Sequence, residues 1–246
     1  MTKEEKEYIA RGLSSWGAII VSPEKKNFFT QFFDNLAEMR LFAFLLSRLN
    51  DGESTVKFKN SSYYRAVGIQ GACGNSRRCI DESLIEILRT PLATTTTNSI
   101  NIAVRSCSNK VLHTSEIEFH RELLPTFHKL AQEFKEKNMS SILKLKSKHS
   151  FRLYERLKSF YREDTAKYKT TPAYLTKIFD YNSARSATFT KIVQDTIRPA
   201  VKEISEKTDL SVSFEKVKEG NEVVAIVFNI IPKPTEPVEN IIELED

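Results

Sequence analysis

The chain has 246 residues, 40% hydrophobic and 28% charged, which excludes a disordered or collagen-like polypeptide. No apolar run approaches the roughly 18 residues that span a bilayer, and the opening Met1-Thr2-Lys3-Glu4-Glu5-Lys6-Glu7 is too acidic for a secretory signal. The formal charge of +5 is unevenly spread: residues 140–218 hold 17 Lys/Arg against 9 Asp/Glu, whereas 219–246 hold one Lys against seven acids. That polarity suggests a basic surface for a polyanion followed by an acidic end.

Residues 1–27 read as an N-terminal extension, with only the short β-like run Ala18-Ile19-Ile20-Val21. From Phe28 to Leu49, apolar side chains recur every three or four positions (Phe32, Leu36, Met39, Phe42, Leu45, Leu46, Leu49), which predicts an amphipathic helix stopped by Asn50-Asp51-Gly52. Val56–Phe58 reads as a short strand. Ser61–Val67 follows as a short helix, with Ser61 or Ser62 as its cap and Gly68 as its stop. Asn75 can cap another helix, with Ile80, Leu84, Ile87 and Leu88 inward and Arg77, Arg78, Asp81 and Glu82 outward, ending before Pro91. Leu92–Ser99 is Thr-rich, while Ile100–Val104 and Val111–Phe119 alternate as strands do. Helix, short helix, helix and hairpin make a helix-turn-helix with a wing.

The same order recurs after a linking helix over Leu123–Phe134. Lys148–Phe160 is amphipathic, Thr171–Phe179 is a short helix with Pro172 in its first turn, and Thr188–Glu206 is a long helix in which Pro199 predicts a kink. Leu210–Phe214 and Val223–Ile230 alternate around the turn Lys218-Glu219-Gly220-Asn221. The last fifteen residues hold three prolines and five acids and read as a mobile tail. We therefore expect an α+β, mostly helical protein of two tandem winged-helix domains, 28–122 and 123–231, flanked by the extension 1–27 and the acidic tail 232–246.

Enzymatic chemistry is not indicated. There is no Gly-rich phosphate loop ending in Lys-Ser/Thr, and His113, His120, His128 and His149 form no metal-ligand spacing. Ser-x-x-Lys occurs at Ser141–Lys144, but nothing supplies the other half of a nucleophilic site. No cofactor or metal is expected. Cys73, Cys79 and Cys107 are odd in number and read as reduced thiols of a cytoplasmic protein.

The densest constellation is Leu143–Leu157, where lysines alternate with apolar residues ahead of a helix whose N-cap is Ser147 or Ser150. A helix N-terminus presents backbone N–H groups to an anion, so Lys144, Lys146, Lys148 and Arg152 around it suit a phosphodiester backbone. In the first half, Asn75, Ser76, Arg77 and Arg78 stand at the start of the helix after Gly74, the end that such recognition helices point at the major groove. Wing residues Lys216 and Lys218 are further candidates for phosphate contact.

The stretch 143–157, LKLKSKHSFRLYERL, resembles the signature "LKSKYSxRLYELL" of the theta-type plasmid replication initiators that bind iterons, and Ile197–Ile204 is similar to that family's "LDPAIKEIN". The resemblance spans 115–231 well, is weaker over 28–114, and is absent from the first 25 residues and the tail. It implies two winged-helix domains that bind direct repeats of double-stranded origin DNA. It also implies help in opening an adjacent A·T-rich segment, recruitment of host initiator and replicative helicase, and monomer–dimer self-association with autorepression. In this family the second recognition helix opens with a Phe and consecutive basic residues; here Ile192 takes the Phe position. Base readout then falls to Arg185, Thr188, Thr190, Lys191 and Gln194, with Arg and Lys favouring guanine and Gln favouring adenine. A rival reading is a winged-helix transcriptional regulator without initiator activity; another is a nuclease or primase with an unrecognised site.

Overall fold

The computed structural model describes residues 33, 35–69, 74–89, 91–94, 99–161, 166–179 and 189–234; for 74–79, 88, 91–94, 99, 100 and 177 it describes the backbone alone. The extension 1–27, the tail beyond 234, and Arg185 and Thr188 lie outside the described residues.

Helix α1, Leu36–Arg48, begins later than its apolar periodicity predicts, because Asn35 is extended and its side-chain oxygen accepts from the Ala37 N–H at 3.0 Å. Strand β1, Thr55–Lys59, leads straight into α2, Asn60–Val67. Its cap position is Lys59 rather than a serine, and Asn60 turns inward, where its Oδ1 accepts from Ser115 Oγ at 2.8 Å. Gly68 closes α2 at φ 73, a left-handed conformation that glycine adopts without a Cβ clash. Helix α3, Gly74–Arg89, buries Ile80, Ser83, Leu84 and Ile87. Two short strands, β2 (Pro91–Thr94) and β3 (Ser99–Asn101), pair with each other and, among the described residues, with no other strand. Strands β4 (Ala103–Asn109) and β5 (Thr114–Phe119) then form the first wing. Val111 and Leu112, expected within a strand, instead form its turn. The Asn109 side-chain oxygen accepts from both of their N–H groups and ends the ladder there.

A 3-10 turn, Arg121–Leu123, starts the link, α4 (Leu124–Glu136), which lays Phe127, Leu130, Ala131 and Phe134 against α1. A second 3-10 turn, Met139–Lys144, precedes α5, Lys148–Phe160. The halves are tied here: the Arg40 guanidinium on α1 donates to Leu145 O through both Nε, at 2.8 Å, and Nη2, and Lys135 Nζ donates to Leu49 O at 3.1 Å. Strand β6, Lys167–Thr170, is too short for its alternation to register in the sequence. Helix α6, Pro172–Ile178, follows.

The long helix of the second half runs as α7 (Phe189–Ile192), a π turn (Val193–Ile197) and α8 (Arg198–Lys207), with the Arg198 N–H bonded five residues back to Val193 O. Pro199 lacks an N–H and its ring crowds the carbonyl four residues earlier, and the wider π turn immediately before it relieves that conflict. The expected kink therefore takes the form of a bulge upstream of the proline. Strands β7 (Leu210–Glu219) and β8 (Glu222–Pro232) form a wing longer than the alternation alone suggests.

Both halves share one strand order. The strand before the short helix lies beside the second strand of the wing, giving β1-β5-β4 and β6-β8-β7, antiparallel throughout. The chain thus folds as two winged helices in series, α+β and mostly helical, and their buried apolar side chains join in one cluster. Aromatic rings dominate it: Phe42, Phe119 and Phe127 meet edge to face at 5.1–6.3 Å.

Candidate nucleic-acid interface

The basic stretch at 143–157 is largely an interior element. Ser147 is the N-cap of α5, its Oγ accepting from the His149 N–H at 3.2 Å. The helix start already holds an anion, however: the Glu203 carboxylate, from α8, accepts from the Lys146 N–H at 2.7 Å and the Ser147 N–H at 3.2 Å, and from Lys207 Nζ at 2.6 Å. Burial works to raise the Glu203 carboxyl, but these donors outweigh it and hold its pKa below the usual carboxylate value. The backbone N–H groups of 146 and 147, expected to meet a phosphate, are satisfied from within.

Ser150 and Arg152 are corrections of the same kind. Ser150 is fully buried and Arg152 is 1% exposed, its Nη1 directed at Ile178 O, 3.4 Å away at the end of α6. Neither side chain reaches solvent, so the exposed phosphate-contact position expected for each is not what the fold provides. The reason is that α5 is covered along almost its whole length, from Ser150 to Lys158. Arg156 lies under the rings of Phe160, Tyr168 and Tyr174, and Lys158 pairs with Asp209. Asp209 also accepts from Tyr154 Oη at 2.7 Å and Ser141 Oγ at 3.1 Å; the Ser-x-x-Lys serine is thereby engaged in a structural network. His149, in edge contact with Phe179, has its pKa lowered to about 4 by burial and then by Lys148 and Arg152.

Lys144 and Lys146 are exposed and Lys148 is half-buried, so these three of the stretch remain at the surface. On the long helix, Thr190, Lys191, Gln194, Asp195 and Arg198 are exposed while Ile192, Val193, Thr196 and Ile197 are buried. The exposed positions form one stripe. Arg198 was not singled out in the sequence; its spacing from Lys191 and Gln194 is the signal that finds it. The Lys146–Glu203 bond places the lysine group beside the far end of this helix. Twelve residues separate Lys191 from Glu203, which is about 18 Å along the axis, roughly half of one duplex turn.

Lys216 and Lys218 are exposed on β7, on either side of a register shift, and the wing tip beyond them carries exposed Glu219 and Glu222 around Gly220 (φ 59). In the first half, Asn75, Ser76, Arg77 and Arg78 lie in the opening turns of α3, and their side chains are outside the described residues. Helix α3 packs on α1 and β4, with Glu82, Ile85, Glu86 and Arg89 exposed. Among the described residues no group of His, Cys, Asp and Glu is arranged to hold a metal ion, and no helix is long and apolar enough to cross a membrane.

Residues 25–158 match the family model described as "Initiator Replication protein, WH1", and residues 173–230 match that described as "Initiator Rep protein, WH2". Among solved structures, the chain is similar to the Pi initiator protein in complex with iteron DNA, at 17% identity over 84% of this chain and 94% of that one, with a TM-score of 0.67. It is also similar to domains 2 and 3 of RctB, at 16% identity over 81% of this chain and 82% of that one, with a TM-score of 0.51. No curated protein sequence matches it.

Proposed function

The chain belongs to the initiator replication protein family, both of whose winged-helix models it matches, and from that premise we propose that it initiates plasmid replication by binding direct repeats of duplex origin DNA. In this reading 28–122 and 123–231 act as two reading units. Helix α3, through Asn75, Ser76, Arg77 and Arg78, and the long helix of the second half, through Thr190, Lys191, Gln194 and Arg198 with Arg185 and Thr188 ahead of them, enter successive major grooves. Lys144, Lys146, Lys148, Lys216 and Lys218 meet phosphates, which set affinity and register and carry no base information.

The exposed stripe Thr190–Arg198 carries this reading, because it places hydrogen-bonding and cationic side chains outward on a helix whose other face is locked into the core. Binding is non-covalent and takes place in the bacterial cytoplasm. Opening of an adjacent A·T-rich segment, capture of host initiator and helicase, and autorepression as a dimer complete the proposal; they draw on the family likeness.

Electrophoretic shift on duplex containing the repeats beside the gene tests the reading. The logarithm of affinity is expected to fall linearly with the logarithm of salt, with a slope of about −0.9 per phosphate neutralised. An affinity indifferent to salt overturns it. Whether the gene with its flanking repeats sustains a plasmid separates an initiator from a regulator of the same fold.

A further inference from the structure

The first wing ends in a turn that is both fixed and apolar. Asn109 Oδ1 accepts from the Val111 and Leu112 N–H groups, each at 3.0 Å, His113 takes φ 52, and the Asn60 N–H bonds His113 O at 2.9 Å. This frame holds Val111 and Leu112 outward, 86% and 68% exposed. A hairpin turn has no need of large aliphatic side chains: the second wing turns on Gly220 and Asn221 between two glutamates. Around the apolar pair, Lys110, His113 and Lys59, opposite Thr114, are exposed. The carboxylates further down the wing are engaged: Glu116 by Lys57 at 3.0 Å and Arg105 at 2.5 Å, and Glu118 by Arg105 at 3.4 Å. The tip is thus an apolar point flanked by Lys110 and Lys59.

Apolar side chains of this size enter between base steps in the minor groove, while flanking cations meet the phosphates on either side. We propose that Val111 and Leu112 form a wedge that enters the minor groove of the bound duplex and partly unstacks one base step. The proposal rests on the DNA-binding reading above. Because α3 packs on β4, the helix proposed to read the major groove carries the wedge with it. The second wing, with Glu219 and Glu222 at its tip, has no such function.

The test uses repeat-containing duplexes with 2-aminopurine substituted in turn for each adenine, whose fluorescence rises on unstacking, together with the full chain carrying Val111→Ser and Leu112→Ser. Both changes are at solvent-exposed positions, so an unchanged thermal midpoint is expected. The wild type should give a rise at one step. The double variant should bind about tenfold more weakly, with the same salt slope and no rise. Wild-type binding without a rise at any position overturns the wedge and leaves DNA binding intact, as does a double variant that keeps both rise and affinity. A double variant altered only in sedimentation assigns the tip to a second copy of the chain and overturns the wedge equally. Failure of the wild type to shift duplex overturns the underlying DNA reading instead.

Discussion

Helices α1 and α5 open the two halves at equivalent places in the fold, yet their interiors are built from different chemistry. Every buried residue of α1 is apolar, from Met39 to Leu46. Helix α5 buries Ser150, Arg152, Glu155, Arg156 and Lys158 beside its aliphatic and aromatic residues. An apolar helix face tolerates repacking, because dispersion contacts are not directional. A buried cation needs its partner in place, since unpaired it costs several kcal/mol. The partners on α5 come from separate elements: Ile178 O from α6, Tyr168 from β6, with its hydroxyl 3.1 Å from Arg156 Nε, and Asp209 from the lead into β7. The second half is therefore specified by direction as well as by volume, and its short helix and wing are oriented by the same helix.

This contrast breaks most sharply at Asp209. Asp209→Ala leaves Lys158 unpaired in the interior and removes the acceptor for Tyr154 and Ser141, and is expected to cost about 3–5 kcal/mol; Leu45→Ala in α1 should cost about 2–5 kcal/mol through its cavity. Urea unfolding of both variants checks this, and a near-neutral Asp209→Ala would mean that the second half is held by volume alone. A finer cut lies within the basic stretch. Arg152→Ala should lower stability by about 3 kcal/mol and leave the duplex affinity of the folded fraction unchanged, whereas Lys144→Ala with Lys146→Ala should leave stability within about 0.5 kcal/mol and reduce the salt slope by about 2. Acid tests the same partly buried chemistry. His149 has a folded pKa of about 4, below its ordinary 6.5, so the unfolded chain binds its proton first. Stability is thus lost progressively as pH falls from about 6.5 towards 4, and a His149→Phe variant should show a shallower loss over that window.

The sequence made the order of elements readable because apolar period and breakers are local properties: Lys148–Phe160 is observed as expected, and Gly68 and Gly220 stop or turn the chain where their conformational freedom is needed. Strand β6 escaped because four residues, two of them lysines, show too little alternation, and its place beside β8 is a tertiary fact. Of the candidate interface, the structure tests exposure alone, which at Thr190, Lys191 and Gln194 agrees with their spacing along the helix. The sequence was misleading at Ser150 and Arg152. A cation near a serine cap reads alike whether a phosphate or another part of the chain completes it, and only the approach of α6 and of Glu203 from α8 distinguishes the two.

The grip of Arg40 on the Leu145 carbonyl has a consequence for what the protein recognises in a target. On the proposed DNA reading, this bond ties α1 to the segment ahead of α5, so the spacing of the two proposed reading helices is set in part within the polypeptide. One inserted base pair displaces the distal site by about 3.4 Å and swings it by about a tenth of a turn, a mismatch that works against such a tie. On that reading, the length of a bound repeat is constrained by the fold as well as by contacts to its bases.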